Sequence, residues 1–144
     1  MSSPTMAIKD VTVAYHGDIT ILNKVSIEAR AGQVTGIIGP NGAGKSTALK
    51  TFFGLLPLRS GSVTLHGRDI SRQKPHDRAG EGVAFVPQHR SLFADLSVED
   101  NLVLGCWVFR HDKARVRRRI DAIYDRFPIL RDKRNDPVSS MSGG

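Results

Sequence analysis

The chain has 144 residues, of which 40% are hydrophobic and 24% are charged, and its formal net charge at pH 7 is +7. This length and composition are typical of one globular domain with its own core, not of a disordered or fibrous chain. A single cysteine excludes a disulfide framework, and no apolar run approaches the ~20 residues that cross a bilayer. We therefore expect a soluble protein of a reducing compartment, without a signal peptide.

Alternating apolar and polar residues predict two antiparallel strands near the N-terminus. Residues 6–15 alternate loosely, and a second alternating run covers residues 25–29. Residues 34–38 then form a short apolar run with β-branched side chains, which indicates a buried parallel strand. Together these segments predict a small antiparallel β layer beside an α/β core.

A glycine-rich loop follows the predicted parallel strand. It matches the phosphate-binding pattern G-x-x-x-x-G-K-[ST], and apolar residues at helical spacing follow it, so the loop lies between a strand and a helix. The sequence predicts that nine consecutive residues bind phosphates: Gly39, Pro40, Asn41, Gly42, Ala43, Gly44, Lys45, Ser46 and Thr47.

Each residue type in this loop suits polyphosphate. Backbone N–H groups at a helix N-terminus have no intrahelical acceptor and lie at the positive end of the helix dipole. Gly39, Gly42 and Gly44 permit backbone conformations that a Cβ atom resists. Lys45 is expected to reach the β- and γ-phosphates, and the Ser46 hydroxyl to coordinate Mg²⁺. The predicted ligand is a nucleoside triphosphate with magnesium.

Two residues outside the loop are further candidates for this site. Tyr15 ends the first predicted strand, where its ring can stack on a purine; a half-buried strand-end tyrosine is the alternative. Gln88 follows a second short buried strand, predicted over residues 83–86. Its amide oxygen can coordinate Mg²⁺ or hold the attacking water, although glutamine is also common in loops.

The second part of the chain reads as helical. Ser97 and Asp100 have the spacing of a capping box, which predicts a helix start. That helix is expected to bury Leu102, Leu104 and Val108. Residues 68–82 are predicted to be a surface loop or a short helix.

A second helix is predicted from Asp112 to Pro128, with residues 129–138 as a connector. Its polar face is arginine-rich and suggests either a nucleic-acid stripe or a solvated face. The absence of interleaved aromatic residues favours the solvated face. The basic cluster comprises Arg110, Lys113, Arg115, Arg117, Arg118 and Arg119.

With these motifs placed, the chain from about Ala7 onward resembles the ATP-binding subunit of ATP-binding-cassette (ABC) transporters. Residues 39–47 match the family's Walker A loop, Tyr15 falls at its adenine-stacking aromatic, and Gln88 falls at its Q-loop. Residues 141–144 resemble the start of the L-S-G-G-Q signature, with methionine for leucine. Four further segments, 69–71, 85–88, 96–102 and 126–130, resemble the LivF-type ATPases of branched-chain amino acid importers, with urea or amide importers as the close alternative.

The resemblance implies an α/β fold of the P-loop NTPase (RecA-like) type with an antiparallel β subdomain and a helical subdomain, incomplete at the C-terminus. Residues 6–94 would hold the β subdomain and the Walker A/Q-loop core, residues 95–140 the helical subdomain, and residues 141–144 the start of the signature. The Walker B strand with the catalytic Glu, and the switch His, would lie beyond residue 144. Lys45 and Gln88 would be the catalytic residues present, and this truncated chain is expected to be inactive alone.

The implied cofactors are ATP and Mg²⁺, with Ser46 and Gln88 as the metal ligands. Ser142, Gly143 and Gly144 would contact the ATP of a second ATPase subunit in a head-to-tail dimer. Other implied partners are transmembrane permease subunits and, indirectly, a periplasmic or extracellular solute-binding protein. The resemblance places the protein in the cytoplasm, peripheral on the cytoplasmic face of the cell membrane, and implies no nucleic-acid partner. Two alternatives remain: a soluble cassette ATPase acting on nucleic acid or ribosomes, and a non-catalytic nucleotide-binding piece.

Overall fold

The computed structural model describes residues 5–15, 19–88 and 92–141. The chain divides into two compact units, residues 1–85 and residues 86–144. The division falls at residue 86, ahead of the predicted start of the helical subdomain at residue 95.

The first unit contains a four-stranded antiparallel sheet. Its strands are β1 (Met6–Tyr15), β2 (Ile19–Ala29), β3 (Ser60–Leu65) and β4 (Arg68–Asp69), in the spatial order β2-β1-β3-β4. The predicted antiparallel layer is therefore confirmed, although β2 begins earlier than its apolar alternation indicated. One face carries the core, in which apolar side chains of the sheet pack with Ile70 and with Ala48 of α1: Ile8, Val11, Val13, Leu22, Ala48, Val63, Leu65 and Ile70.

Two helices accompany this sheet in the first unit. Helix α1 (Lys45–Phe53) lies between Gly44 and Gly54, both in the left-handed conformation that suits glycine. Helix α2 (Pro75–Gly80) lies in the segment predicted to be a loop or a short helix, and proline stands at its first helical position.

The two buried parallel strands predicted at residues 34–38 and 83–86 are not formed. Both segments are irregular chain, and Val34 and Ile38 are 101% and 97% exposed. Residues of both segments still line one apolar hollow of about 210 Å³ with aromatic side chains of α1: Thr35, Ile37, Val83, Ala84 and Phe85. A parallel strand requires a ladder partner, and no strand in the described part of the chain pairs with either segment.

The second unit is helical. Its elements are α3 (Val98–Gly105), a 3₁₀ turn (Trp107–Phe109), α4 (Lys113–Arg126), α5 (Pro128–Asp132) and a second 3₁₀ turn (Val138–Ser140). The predicted cap is confirmed, since the Ser97 hydroxyl accepts from the Asp100 N–H at 3.0 Å. The Asp112 carboxylate likewise caps α4 through the Arg115 N–H.

Two expectations for this unit were wrong. Residues 129–138 are not a plain connector, because proline at the first helical position starts α5. Val108 is 51% exposed instead of buried. Helix α3 ends at Gly105, so the helical spacing that would turn Val108 inward does not continue to it.

Candidate nucleotide site

The Walker A loop lies open on the surface of the first unit. Residues 39–43 are exposed, and the chain then enters α1 through Gly44. The Lys45 ammonium group folds back across the loop and donates to the Gly39 and Pro40 carbonyl oxygens, each at 2.7 Å. These two hydrogen bonds link the end of the loop to its beginning, and they place the positive charge of Lys45 next to the loop backbone.

The first turn of α1 offers unused hydrogen-bond donors. Gly44 supplies no side-chain cap, and the backbone N–H groups of Lys45, Ser46 and Thr47 have no acceptor among the residues that the structure describes. These donors sit at the positive end of the helix dipole. The arrangement suits an anion.

Glycine is required at the last loop position for two reasons. Gly44 has φ +86°, a left-handed conformation that residues with a Cβ rarely adopt. A Cβ atom there would also lie 2.8 Å from the Leu22 Cδ2 atom of β2. The loop therefore approaches the sheet as closely as its backbone allows, and Leu22 fixes that approach.

Tyr15 lies at the same end of the sheet as the loop. It pairs with Ile19 at the start of β2, and Ile21 and Leu22, a few residues further along β2, approach Gly44. Tyr15 is half-buried. The alternative of a half-buried strand-end tyrosine is thus compatible with its position, and its contact with a base stays a prediction.

The two predicted Mg²⁺ ligands lie in different units. Ser46 is the second residue of α1, and its side chain is exposed. Gln88 is exposed and belongs to the second unit, so its contact with the metal stays a prediction. Within the described ranges, no cluster of His, Cys, Asp or Glu could hold a metal ion. Ser142, Gly143 and Gly144 lie outside the described residues.

Sequence reasoning missed Arg78, which holds the other end of α1. Its side chain is 1% exposed, and its guanidinium donates to the carbonyls of Thr51 and Phe52 at 3.0 and 2.7 Å. It also donates to the carbonyls of Ile70 and Ser71 at 2.8 and 3.3 Å. Burial lowers the pKa of Arg78, and the charge of nearby Asp69 opposes that effect. The proline and aspartate at the start of α2 could have predicted the helix, but no local signal marks this arginine as buried.

Comparison with known proteins identifies the family. A family model described as ABC transporter matches residues 22–144. The chain belongs to the ABC transporter family. It is 40% identical, over 131 residues, to a probable branched-chain amino acid transport ATP-binding protein LivF of Archaeoglobus fulgidus. It is 36% identical, over 116 residues, to a sulfate/thiosulfate import ATP-binding protein CysA of Mycobacterium bovis.

These matches cover most of this chain but only part of its relatives. The LivF match spans 91% of the chain and 55% of the relative, and the CysA match spans 81% and 32%. A crystal structure of a nucleotide-free ATP-binding cassette from an ABC transporter superimposes with a TM-score of 0.81 at 24% identity, covering 98% of this chain and 60% of that one. The fold is therefore that of a P-loop ATPase cassette. None of the described helices is both long and apolar enough to span a membrane.

Proposed function

We propose that this chain binds Mg-ATP through residues 39–47 and belongs to the ATPase subunit of an ABC importer, in which ATP binding and hydrolysis drive solute uptake. The observation that carries the proposal is the start of α1, where unused backbone amides and the Lys45 ammonium group surround an open loop. Polyphosphate suits this combination of helix dipole, amide donors and one flexible cation.

The residues of the loop would act in different ways on the nucleotide. The first-turn amides would donate to phosphate oxygens. Lys45 would exchange the Gly39 and Pro40 carbonyls for β- and γ-phosphate oxygens, because a bond between two charged groups is stronger than one to a neutral carbonyl. Ser46 would provide a hydroxyl ligand to Mg²⁺. Bound Mg²⁺ neutralises phosphate charge and so favours transfer of the γ-phosphoryl group.

Other residues are proposed to complete the site. Tyr15 would stack on adenine, and Gln88 would be a second Mg²⁺ ligand that responds to the γ-phosphate. Residues 142–144 would contact the nucleotide of a partner ATPase subunit arranged head to tail. No general base is assigned in this sequence, so binding and not turnover is the property to test on the 144 residues.

The test is an equilibrium titration of the chain with Mg-ATP. Lys45→Ala removes a charge-assisted hydrogen bond worth about 1.5–3 kcal/mol, so affinity should fall about 10- to 100-fold. Lys50→Ala is the matched control: it removes the same charge from the last turn of α1, away from the loop, and should change affinity less than about twofold. An equal loss in both variants, or no loss in Lys45→Ala, would contradict the proposal.

The solute and the partners are finer proposals. We propose branched-chain amino acids, supported by the 40% identity to the LivF relative, with permease subunits and a solute-binding protein as partners and the cytoplasmic face of the membrane as location. Urea or amides remain the alternative. The sulfate/thiosulfate relative is only slightly less similar, so uptake should be compared directly. Reconstituted whole transporter that takes up leucine but not sulfate would support the proposal, and the reverse would overturn it.

A further inference from the structure

The described part of the second unit carries a basic surface that the proposed nucleotide site does not use. Residues 110–119 contain six basic residues and one acidic residue. Three arginines on α4 stand at positions 115, 118 and 119, spacings that place them on one helix face, and with Ala122 they line one surface depression. All three are exposed. We call Arg110, Arg115, Arg118 and Arg119, together with Trp107 and Phe109, the basic–aromatic face.

The arginines of this face lack acidic partners, although acids are close by. No carboxylate lies within ion-pair distance of Arg115, Arg118 or Arg119 among the described residues. Asp121 instead pairs with Arg117, and Asp125 pairs with Arg131, on the flanks of the helix. Like charges three and four residues apart repel each other, so an external anion would relieve this repulsion.

Aromatic side chains, which do not interleave with the basic residues of α4 in the sequence, do so in space. The Arg110 guanidinium lies 4.5 Å from the centre of the Trp107 ring, and the Arg115 guanidinium lies 4.3 Å from the centre of the Phe109 ring. Trp107 is 59% exposed and Val108 is 51% exposed. An exposed aromatic side chain and an exposed valine thus lie in the same segment as guanidinium groups that stack on aromatic rings.

We propose that the basic–aromatic face binds the surface of an anionic lipid bilayer, with arginines at the headgroup phosphates and Trp107 in the interfacial layer. An interface of this kind accepts both groups, since arginine heads stay with the anions while tryptophan and apolar side chains enter the acyl boundary. A nucleic acid would neutralise the arginines but would leave Val108 in water, and an arginine already covers one side of each aromatic ring. This lipid contact goes beyond docking on membrane subunits and does not depend on nucleotide.

The test uses the full 144-residue chain and vesicles made of equal parts phosphatidylcholine and phosphatidylglycerol, with pure phosphatidylcholine vesicles as the neutral probe. Trp107 is the only tryptophan, so its fluorescence reports directly on the face. Its emission should shift to the blue with anionic vesicles and not with neutral ones. Because one basic residue near such a surface changes partitioning about fivefold, the Arg118→Gln/Arg119→Gln variant should bind about 25-fold more weakly.

Arg117→Gln is the matched control. It removes one positive charge from the same helix, but Arg117 lies on another side of α4, where it lines a depression with Glu99, Asp121 and Tyr124, so binding should change less than about twofold. Lys45→Ala should bind vesicles as the parent does, which separates this inference from the nucleotide proposal. The lipid proposal would be overturned if Arg117→Gln lost as much vesicle affinity per arginine as the double variant does. It would also be overturned if anionic vesicles caused no blue shift of the Trp107 emission.

A single-stranded oligouridine RNA is the probe for the alternative that this face binds nucleic acid. If the chain bound this RNA more tightly than anionic vesicles at the same salt concentration, and the double variant lost that binding, the face would be a nucleic-acid site and the lipid proposal would be wrong. Circular dichroism of each variant should match the parent, since all the substituted arginines are exposed.

Discussion

The two ends of α1 are held in opposite ways. At the N-terminal end, the first-turn amides have no acceptor among the described residues, and Gly44 supplies no capping side chain. At the C-terminal end, the buried Arg78 guanidinium donates to the carbonyls of Thr51 and Phe52, and the Gly54 N–H donates to the Thr51 carbonyl as well. The carbonyls of Lys50, Thr51 and Phe52 in the last turn thus have donors within the protein, whereas the N–H groups of the first turn remain available to a ligand.

This difference shows how a helix can be attached firmly to the protein at one end and still offer free N–H groups to a ligand at the other. Arg78 also donates to the carbonyls of Ile70 and Ser71, just after β4, so it joins the closed end of α1 to the sheet. A positive charge at that end is also favourable to the helix dipole. The open end is thereby held in place without using the groups that an anion needs.

The largest predicted effect comes from breaking the closed end. Arg78→Met removes four hydrogen bonds, two of them to the part-buried Phe52 and Ser71 carbonyls, so we expect a loss of about 3–5 kcal/mol in the free energy of opening α1. Native-state hydrogen exchange of α1 amides measures that opening. Arg72→Met is the control, because Arg72 is exposed and its loss should cost less than about 0.5 kcal/mol. Similar exchange in the two variants would show that Arg78 does not fix the helix.

A smaller effect is expected at the open end. Gly44→Ala places a Cβ atom at φ +86° and 2.8 Å from Leu22 Cδ2, so stability should fall by about 1–2 kcal/mol and Mg-ATP affinity should fall with it. Gly36→Ala is the matched substitution, because a Cβ atom at Gly36 would meet nothing within 4 Å. Urea unfolding and an ATP titration of both variants give the comparison, and equal behaviour would contradict a steric role for Gly44.

Whether each end of α1 could be predicted from sequence depends on how far apart in the chain its interacting residues lie. The open end is encoded in residues 39–47, because glycine conformation, helix start and lysine reach are all local. The closed end is not, since Arg78 is 27 residues from the Thr51 carbonyl that it binds. The sequence around Arg78 has no periodic pattern of apolar residues that would indicate that this side chain is buried.

The predicted strands divide in the same manner. Alternation correctly predicted β1 and β2, which are antiparallel partners close together in the chain. At residues 34–38 and 83–86 the apolar runs predicted buried strands, but no hydrogen-bond ladder forms there, and Val34, Ile38 and Val86 are exposed. A β-strand forms only when a second strand supplies hydrogen-bond partners, so the side-chain pattern of one segment alone cannot establish it.

A third prediction compares the start of α1 with that of α3, which has a side-chain cap. Ser97→Ala removes the hydroxyl that accepts the Asp100 N–H, so it should lower stability by about 1 kcal/mol. Ser46→Ala at the start of α1 removes no cap and should cost less than about 0.5 kcal/mol without nucleotide. Thermal unfolding of both variants in the absence of Mg-ATP checks the difference. A larger loss in Ser46→Ala would mean that α1 is capped by its own serine and its donors are not free.

The smallest expected effect is the pH dependence of the closed end. Hydrogen bonds from Ser71 hold the pKa of the Asp69 carboxyl below its ordinary value of 3.8, and Ser71 also supplies a carbonyl to Arg78. Since folding lowers this pKa, the Asp69 contribution to stability is present above the unfolded value and is lost as pH falls through the lower folded value. The melting temperature, followed by circular dichroism, should therefore drop as the pH falls from about 5 to below 3.8. Asp69→Asn should flatten part of that decline, and Glu81→Gln a separate part, because hydrogen bonds from Arg68 and Gln73 lower the pKa of Glu81 as well. If the melting temperature of Asp69→Asn fell with pH as steeply as that of the parent, this carboxylate would not help to hold Arg78. The closed end of α1 would then depend on the guanidinium alone.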